Sequence, residues 1–141
     1  MTIGTRREAR ERALSLLYEA EVKGVTAADV LKDLPLEPEP FAVDLVAGVW
    51  DHQPSIDALI ERFAIDWTLD RMPVIDRTVL RMGTYELLHR DDVPTGAILS
   101  EAVELAKRYS TEESGRFVNG VLGAIAAEIR PTEPAADTIP T

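Results

Sequence analysis

The sequence predicts an all-α fold of about seven helices packed as two bundles, and three observations predict it. Apolar residues recur every three or four positions along most of the chain, which gathers them on one face of a helix. Pairs of the form Thr-x-x-Glu and Ser-x-x-Glu open two of these runs in the manner of capping boxes. No stretch alternates apolar with polar residues as a half-buried strand requires.

Each element follows in order. Thr5 and Glu8 fit a capping box, and Ala9, Ala13, Leu16, Leu17 and Ala20 form one stripe that Gly24 suits as a C-terminal end. A short helix follows Thr26, with Val30, Leu31 and Leu34 turned inward. Pro35, Pro38 and Pro40 cannot sustain helical hydrogen bonding, so this segment is a loop before a helix that buries Phe41, Leu45, Val46, Val49 and Trp50. After Pro54, Ser55 caps a helix carrying Ile56, Leu59, Ile60 and Phe63.

The second half is more strongly patterned. Asp70 caps a helix with Pro73 inside its first turn, where a missing N–H costs nothing. Ile75, Val79, Leu80, Met82 and Leu87 give that helix a wide apolar face, which implies burial on more than one side. Pro94 and Gly96 break the chain before a helix with Ile98, Ala102, Leu105, Ala106 and Tyr109 at core spacing. Ser110 and Glu113 open a last helix with Phe117, Val118, Val121, Leu122, Ile125 and Ile129 on one face, and Pro131 ends it. Residues 1–130 read as one domain and 131–141 as a disordered tail, with three prolines and one large apolar residue, Ile139.

Composition narrows the function. The chain has 141 residues, no cysteine and a net charge of -10. Disulfides and thiolate metal sites are excluded, which fits a reducing, cytoplasmic setting. The start turns charged at once, unlike a signal peptide, and no apolar run approaches a bilayer span. Charge is uneven: residues 1–12 hold four arginines against two glutamates, whereas 13–69 hold three basic against eleven acidic residues. That balance argues against a sequence-blind polyanion binder, so any RNA contact is local or shared with a basic partner.

Several residues carry candidate chemistry. Arg6, Arg7 and Arg10 lie on the first two turns of the first helix, where planar guanidinium forks can grip phosphate. The alternative is a solvated helix end neutralised by Glu8 and Glu11. Asp76, Arg77 and Arg81 lie in the most apolar helix and suit a buried ionic network orienting the two bundles. Glu104 can meet Arg108 one turn on, and Glu101 can cap or pair internally. Phe117, with Asn119, Lys107 and Arg108, could stack on and read an unpaired base, although Phe117 also sits at core spacing. Two isolated histidines, His52 and His89, give no ligand-spaced cluster, so no metal, cofactor or catalytic residue is expected.

Four phrases in one order, TRREARERALSLLY, LDRMPVIDRTVLRMGTYEL, VPTGAILSEAVELAKRY and FVNGVL, closely resemble the NusB family of bacterial antitermination factors. The resemblance covers about residues 5–130 and implies an all-helical protein that binds the boxA element of nascent ribosomal RNA. Its implied partner is NusE, a small-subunit ribosomal protein, with other antitermination factors and RNA polymerase reached indirectly. It assigns RNA contact to the arginine-rich start, and with it Lys107, Arg108, Phe117 and Asn119 are taken as RNA-facing. Tyr18 and Glu86 are assigned to the protein partner through the resemblance alone. Some relatives are dimers, so the alternative is a homodimeric helical scaffold whose RNA face is masked. The chain departs from the family pattern at Ser15, Ser100 and Gly123, the last removing a carboxylate near the implied RNA face.

Overall fold

The computed structural model describes residues 5–131, the side chain of Thr5 excepted, and among them every regular element is helical. The cap expected at Thr5 and the disordered tail beyond Pro131 lie outside the described residues.

Helix α1 (Thr5–Lys23) ends on Gly24, whose φ of 68° lets the chain turn so that the Val25 N–H reaches back to the Ala20 carbonyl at 3.1 Å. Helix α2 (Ala27–Lys32) opens with a full capping box between Thr26 and Asp29, and the Thr26 contacts hold the Asp29 carboxyl below its usual range. Helix α3 (Pro40–Asp51) starts on the Glu39 side chain, which accepts from the Phe41 N–H at 2.9 Å. His52 closes α3 and opens α4 (Gln53–Phe63). Because α4 begins ahead of Pro54, Ser55 is not its cap but lies inside the first turn, donating to the His52 carbonyl at 3.0 Å.

A 3-10 turn, Leu69–Arg71, precedes α5 (Val74–His89). Asp70 therefore belongs to the turn, and Pro73 is the residue before the helix rather than one within it. The extended backbone at Met72 and Pro73 separates the two elements. Helices α6 (Thr95–Tyr109) and α7 (Glu112–Ile129) are split by a sharp corner. The N-cap of α7 is Thr111, accepting from the Ser114 N–H at 2.9 Å, one residue later than the expected Ser110, which closes α6 instead.

Helices α1 to α3 pack together, as do α4 to α7, and α5 touches both groups. The wide apolar face read from α5 is this double contact, with Val79, Leu80, Met82, Tyr85 and Leu87 buried. Two expected core residues are outside it. Trp50 is one step of about 100° past Val49 and is 41% exposed, and Tyr109, at the end of α6, is 47% exposed.

Ion pairs fix the bundles, with one change from expectation. Arg77 donates to Glu21 of α1 at 2.9 Å and to the Leu69 carbonyl at 2.8 Å. Arg81 forks onto Asp57 of α4 at 2.8 and 3.0 Å. Asp76 stands apart from this network: it accepts from the Ser114 hydroxyl of α7, with its two oxygens 2.9 and 2.7 Å away.

Candidate nucleic-acid interface

The start of α1 projects arginines to two sides. On one side, Arg6, Arg10 and Arg90 gather around the Phe41 ring, at 4.2, 5.2 and 4.7 Å from its centre. Arg6 pairs with Asp92 at 3.2 Å, and Arg90 grips Asp92 at 2.9 Å and Asp44 at 3.1 Å. Arg90, and then Arg6, hold the Asp92 carboxyl below the usual carboxylate range. On the other side Arg7 forks onto Glu101 of α6 at 3.1 and 2.8 Å, which lowers the Glu101 carboxyl likewise. Further along α6, Arg108 pairs with Glu11 of α1, and the Tyr109 hydroxyl donates to the same carboxylate at 3.3 Å. Glu11 thus makes its pair with α6 rather than with an arginine of its own helix.

The seam between α1 and α6 is therefore stitched by long charged side chains at the surface. Arg7 and Arg108 cross it, while Arg6 pairs beside it with Asp92 and Lys107 turns to the α7 side, 3.9 Å from Glu112; all four side chains are between 43% and 58% exposed. Exposed pairs of this kind are worth about 0–1 kcal/mol, so each cation can exchange a carboxylate for a phosphate oxygen at little cost.

Arg10 cannot. Its side chain is 6% exposed and both arms of its fork meet Glu86 at 2.7 Å, while the Glu86 side chain is 2% exposed. The expectation that all three arginines stand free at an exposed helix start fails for Arg10, and Glu86 offers its carboxylate to Arg10 rather than to a surface. The signal lay in the helix period, since Arg10 falls one residue from Ala9 and three from Ala13, inside the buried stripe. Tyr18, by contrast, is 43% exposed, and Val22 one turn on extends the same face at 62% exposed.

The loop after α5 is held from behind. Arg130 donates to the carbonyls of Leu87 at 3.0 Å, Val93 at 2.9 Å, Glu86 at 3.1 Å and Arg90 at 3.0 Å, capping the end of α5 and fixing the segment that carries Asp92. Near that end His52 and His89 stack at 4.3 Å between ring centres. Burial and the neighbouring His52 depress the His89 imidazole below its usual range. Burial and then the bond to Asp44 raise the Tyr85 phenol to about 12.

A second feature lies at the start of α7. Trp67, Met72, Pro73 and Phe117 wall a cleft of about 550 Å³ with Asp76 among its lining residues and Thr111, Glu113, Ser114 and Arg116 completing it. Phe117 is half-buried and meets Trp67 edge-on at 6.2 Å, which reconciles its core spacing with a place in the cleft wall. Asn119, two residues on, is exposed. Trp67, 47% exposed, is a site candidate that sequence reasoning missed, because an aromatic in a loop carries no periodic signal.

This fold and seam define a class of small helical proteins with arginine-rich first helices. A family model described as the NusB family matches residues 7–127. The chain is 49% identical to the transcription antitermination protein NusB of Thermobifida fusca, over 86% of this chain and 89% of that protein. It is 50% identical to the protein of the same name from Saccharopolyspora erythraea, covering 88% of each. Among solved structures, T. maritima NusB superposes with a TM-score of 0.80 at 37% identity, covering 87% of this chain and 91% of that one. A structure of antitermination factors NusB and NusE in complex with dsRNA matches with a TM-score of 0.76 at 29% identity, covering 90% and 99%. The chain belongs to the NusB family.

Proposed function

We propose that this protein is a non-catalytic, RNA-binding transcription antitermination factor of the cytoplasm, a single helical domain that acts with NusE on boxA of nascent ribosomal RNA. The observation that carries the reading is the seam of exposed cations between α1 and α6, in a chain whose relatives include a NusB solved with NusE and RNA. Arg6, Arg7, Lys107 and Arg108 contact phosphates, and Phe117 and Asn119 meet bases. Tyr18, with Val22 beside it, faces the partner. Arg10 and Glu86 act on the interface indirectly, by fixing α1 against α5.

A net charge of -10 opposes RNA approach at long range, and a basic ribosomal protein offsets it. The test is titration of boxA-type RNA into the protein alone and into its complex with NusE. Weak binding alone and much tighter binding with NusE supports the reading. Equal affinity in both, or none in either, overturns it.

A further inference from the structure

We propose that the cleft between Trp67 and Phe117 holds one unstacked RNA base, with Trp67 as a stacking platform and Asp76 selecting a base that carries an exocyclic amino group. This rests on the RNA-binding reading above and adds to it a base subsite and its selectivity.

Three features point to a base. First, Trp67 is 47% exposed, yet its backbone N–H bonds to the Ala64 carbonyl at 3.2 Å and its ring meets Phe117 edge-on, so the ring offers an apolar surface already set against a neighbour. Stacking on such a ring is open to every base. Second, Asp76 is 4% exposed and lines the cleft, and among the described residues it pairs with no cation. Its donor is the single hydroxyl proton of Ser114. A carboxylate has acceptor sites for more than one proton, so the remaining ones need a donor from whatever enters. The amino group of cytosine, adenine or guanine supplies it with two protons to offer, whereas the one ring donor of uracil, its N3–H, lies between two carbonyl oxygens that a carboxylate repels. Third, the rim suits the attached backbone. Arg116 borders the cleft in an exposed pair with Glu113 at 2.6 Å, and Lys107, 3.9 Å from Glu112, lies against the adjacent Gly115, so closely that a Cβ there would collide with its stem; a phosphate can replace either exposed carboxylate. A basic side chain of a protein is the competing occupant, since it too would satisfy Asp76.

The protein contains two tryptophans, and Trp50 lies elsewhere, beside Gln53 and Arg81. In full-length protein carrying Trp50→Phe, fluorescence therefore reports Trp67 alone. RNA of the boxA type, with NusE present if binding requires it, should quench that signal as it saturates. Trp67→Ala should weaken RNA binding by about fivefold or more, the low end for loss of one stacked base, and Trp67→Phe should restore most of it. Single-stranded oligoadenylate and oligocytidylate should quench more strongly than oligouridylate, and Asp76→Asn should narrow that difference. RNA that saturates the protein without quenching, and binds Trp67→Ala equally well, overturns the subsite while leaving RNA binding intact. Quenching by NusE alone, with no further change on adding RNA, assigns the cleft to the protein partner and also overturns it. Equal quenching by all three homopolymers removes Asp76 as the selector. Loss of all RNA binding in the parent protein, with and without NusE, sinks the functional reading and the subsite together.

Discussion

Arg10 and Glu86 face each other across α1 and α5 as a two-pronged ion pair, both contacts at 2.7 Å and both side chains nearly closed to water. A guanidinium so placed cannot leave for a phosphate, because its carboxylate would be stranded in the interior. The pair instead sets the register of α1, and so the direction in which Arg6 and Arg7 project.

Breaking one half should be costly. Glu86→Ala leaves a buried positive charge with no counter-ion and should destabilise the fold by about 3–5 kcal/mol, whereas the double change Arg10→Met with Glu86→Leu should cost much less. Thermal and urea unfolding of both variants measures this. A single variant as stable as the parent would mean the pair is open to solvent.

The end of α5 should make stability pH-dependent. His89 titrates below its usual value of 6.5, lowered first by burial and then by His52, while Asp44 and Asp91 pull the other way. With the folded value depressed, the unfolded chain binds the proton more readily. The stabilisation is present above pH 6.5 and is lost as pH falls from there through the folded value. Unfolding midpoints taken across that window should fall with acidification, and His89→Gln should flatten the trend. An unchanged slope in that variant would show that other groups govern it.

Close packing makes a separate prediction at Gly48. A Cβ added there would collide with the hydroxyl end of the Tyr85 ring, whose hydroxyl is fixed to Asp44 at 2.8 Å and so cannot swing aside freely. Gly48→Ala should cost about 1–3 kcal/mol by overpacking, despite the better helix propensity of alanine. Denaturant midpoints check it, and a stabilised variant would mean that α3 and α5 separate easily at this point.

Much of this architecture was legible in the sequence, for reasons visible at particular residues. Thr26 and Gly24 marked true helix boundaries, and Ile56, Ile60 and Leu122 followed the period into the core. Boundaries failed where two caps compete within two residues, as Ser110 and Thr111 do, or where a 3-10 turn interrupts, as at Asp70. Charge pairing was the least legible level. Arg7 with Glu101 and Arg108 with Glu11 join residues far apart in the chain, and nothing local distinguishes such pairs from those between neighbours on one helix. Arg10 was misread because residue type suggested surface while its position in the stripe dictated burial.

The last prediction concerns the acidic side of the seam. Glu11 accepts from both Arg108 and Tyr109, with Glu104 farther off at 3.9 Å from the same guanidinium, and so is the nearer carboxylate holding an exposed cation where RNA is proposed to pass. RNA must displace that carboxylate, or tolerate it, before Arg108 can reach a phosphate. Glu11→Gln keeps the side chain's size and its hydrogen-bonding oxygen but removes the charge. Exposed pairs contribute at most about 1 kcal/mol, so the unfolding midpoint should move little. RNA affinity should rise, and the dependence of log affinity on log salt should steepen by about one unit as one more cation becomes available to phosphate. Titrations of parent and variant at several salt concentrations, with NusE present in both, read affinity and slope together. If Glu11→Gln binds RNA no more tightly and with the same slope, Arg108 lies away from the phosphate path. Arg7→Ala then serves as the comparison: a loss of about one unit of slope in that variant alone would confine the contact to the start of α1.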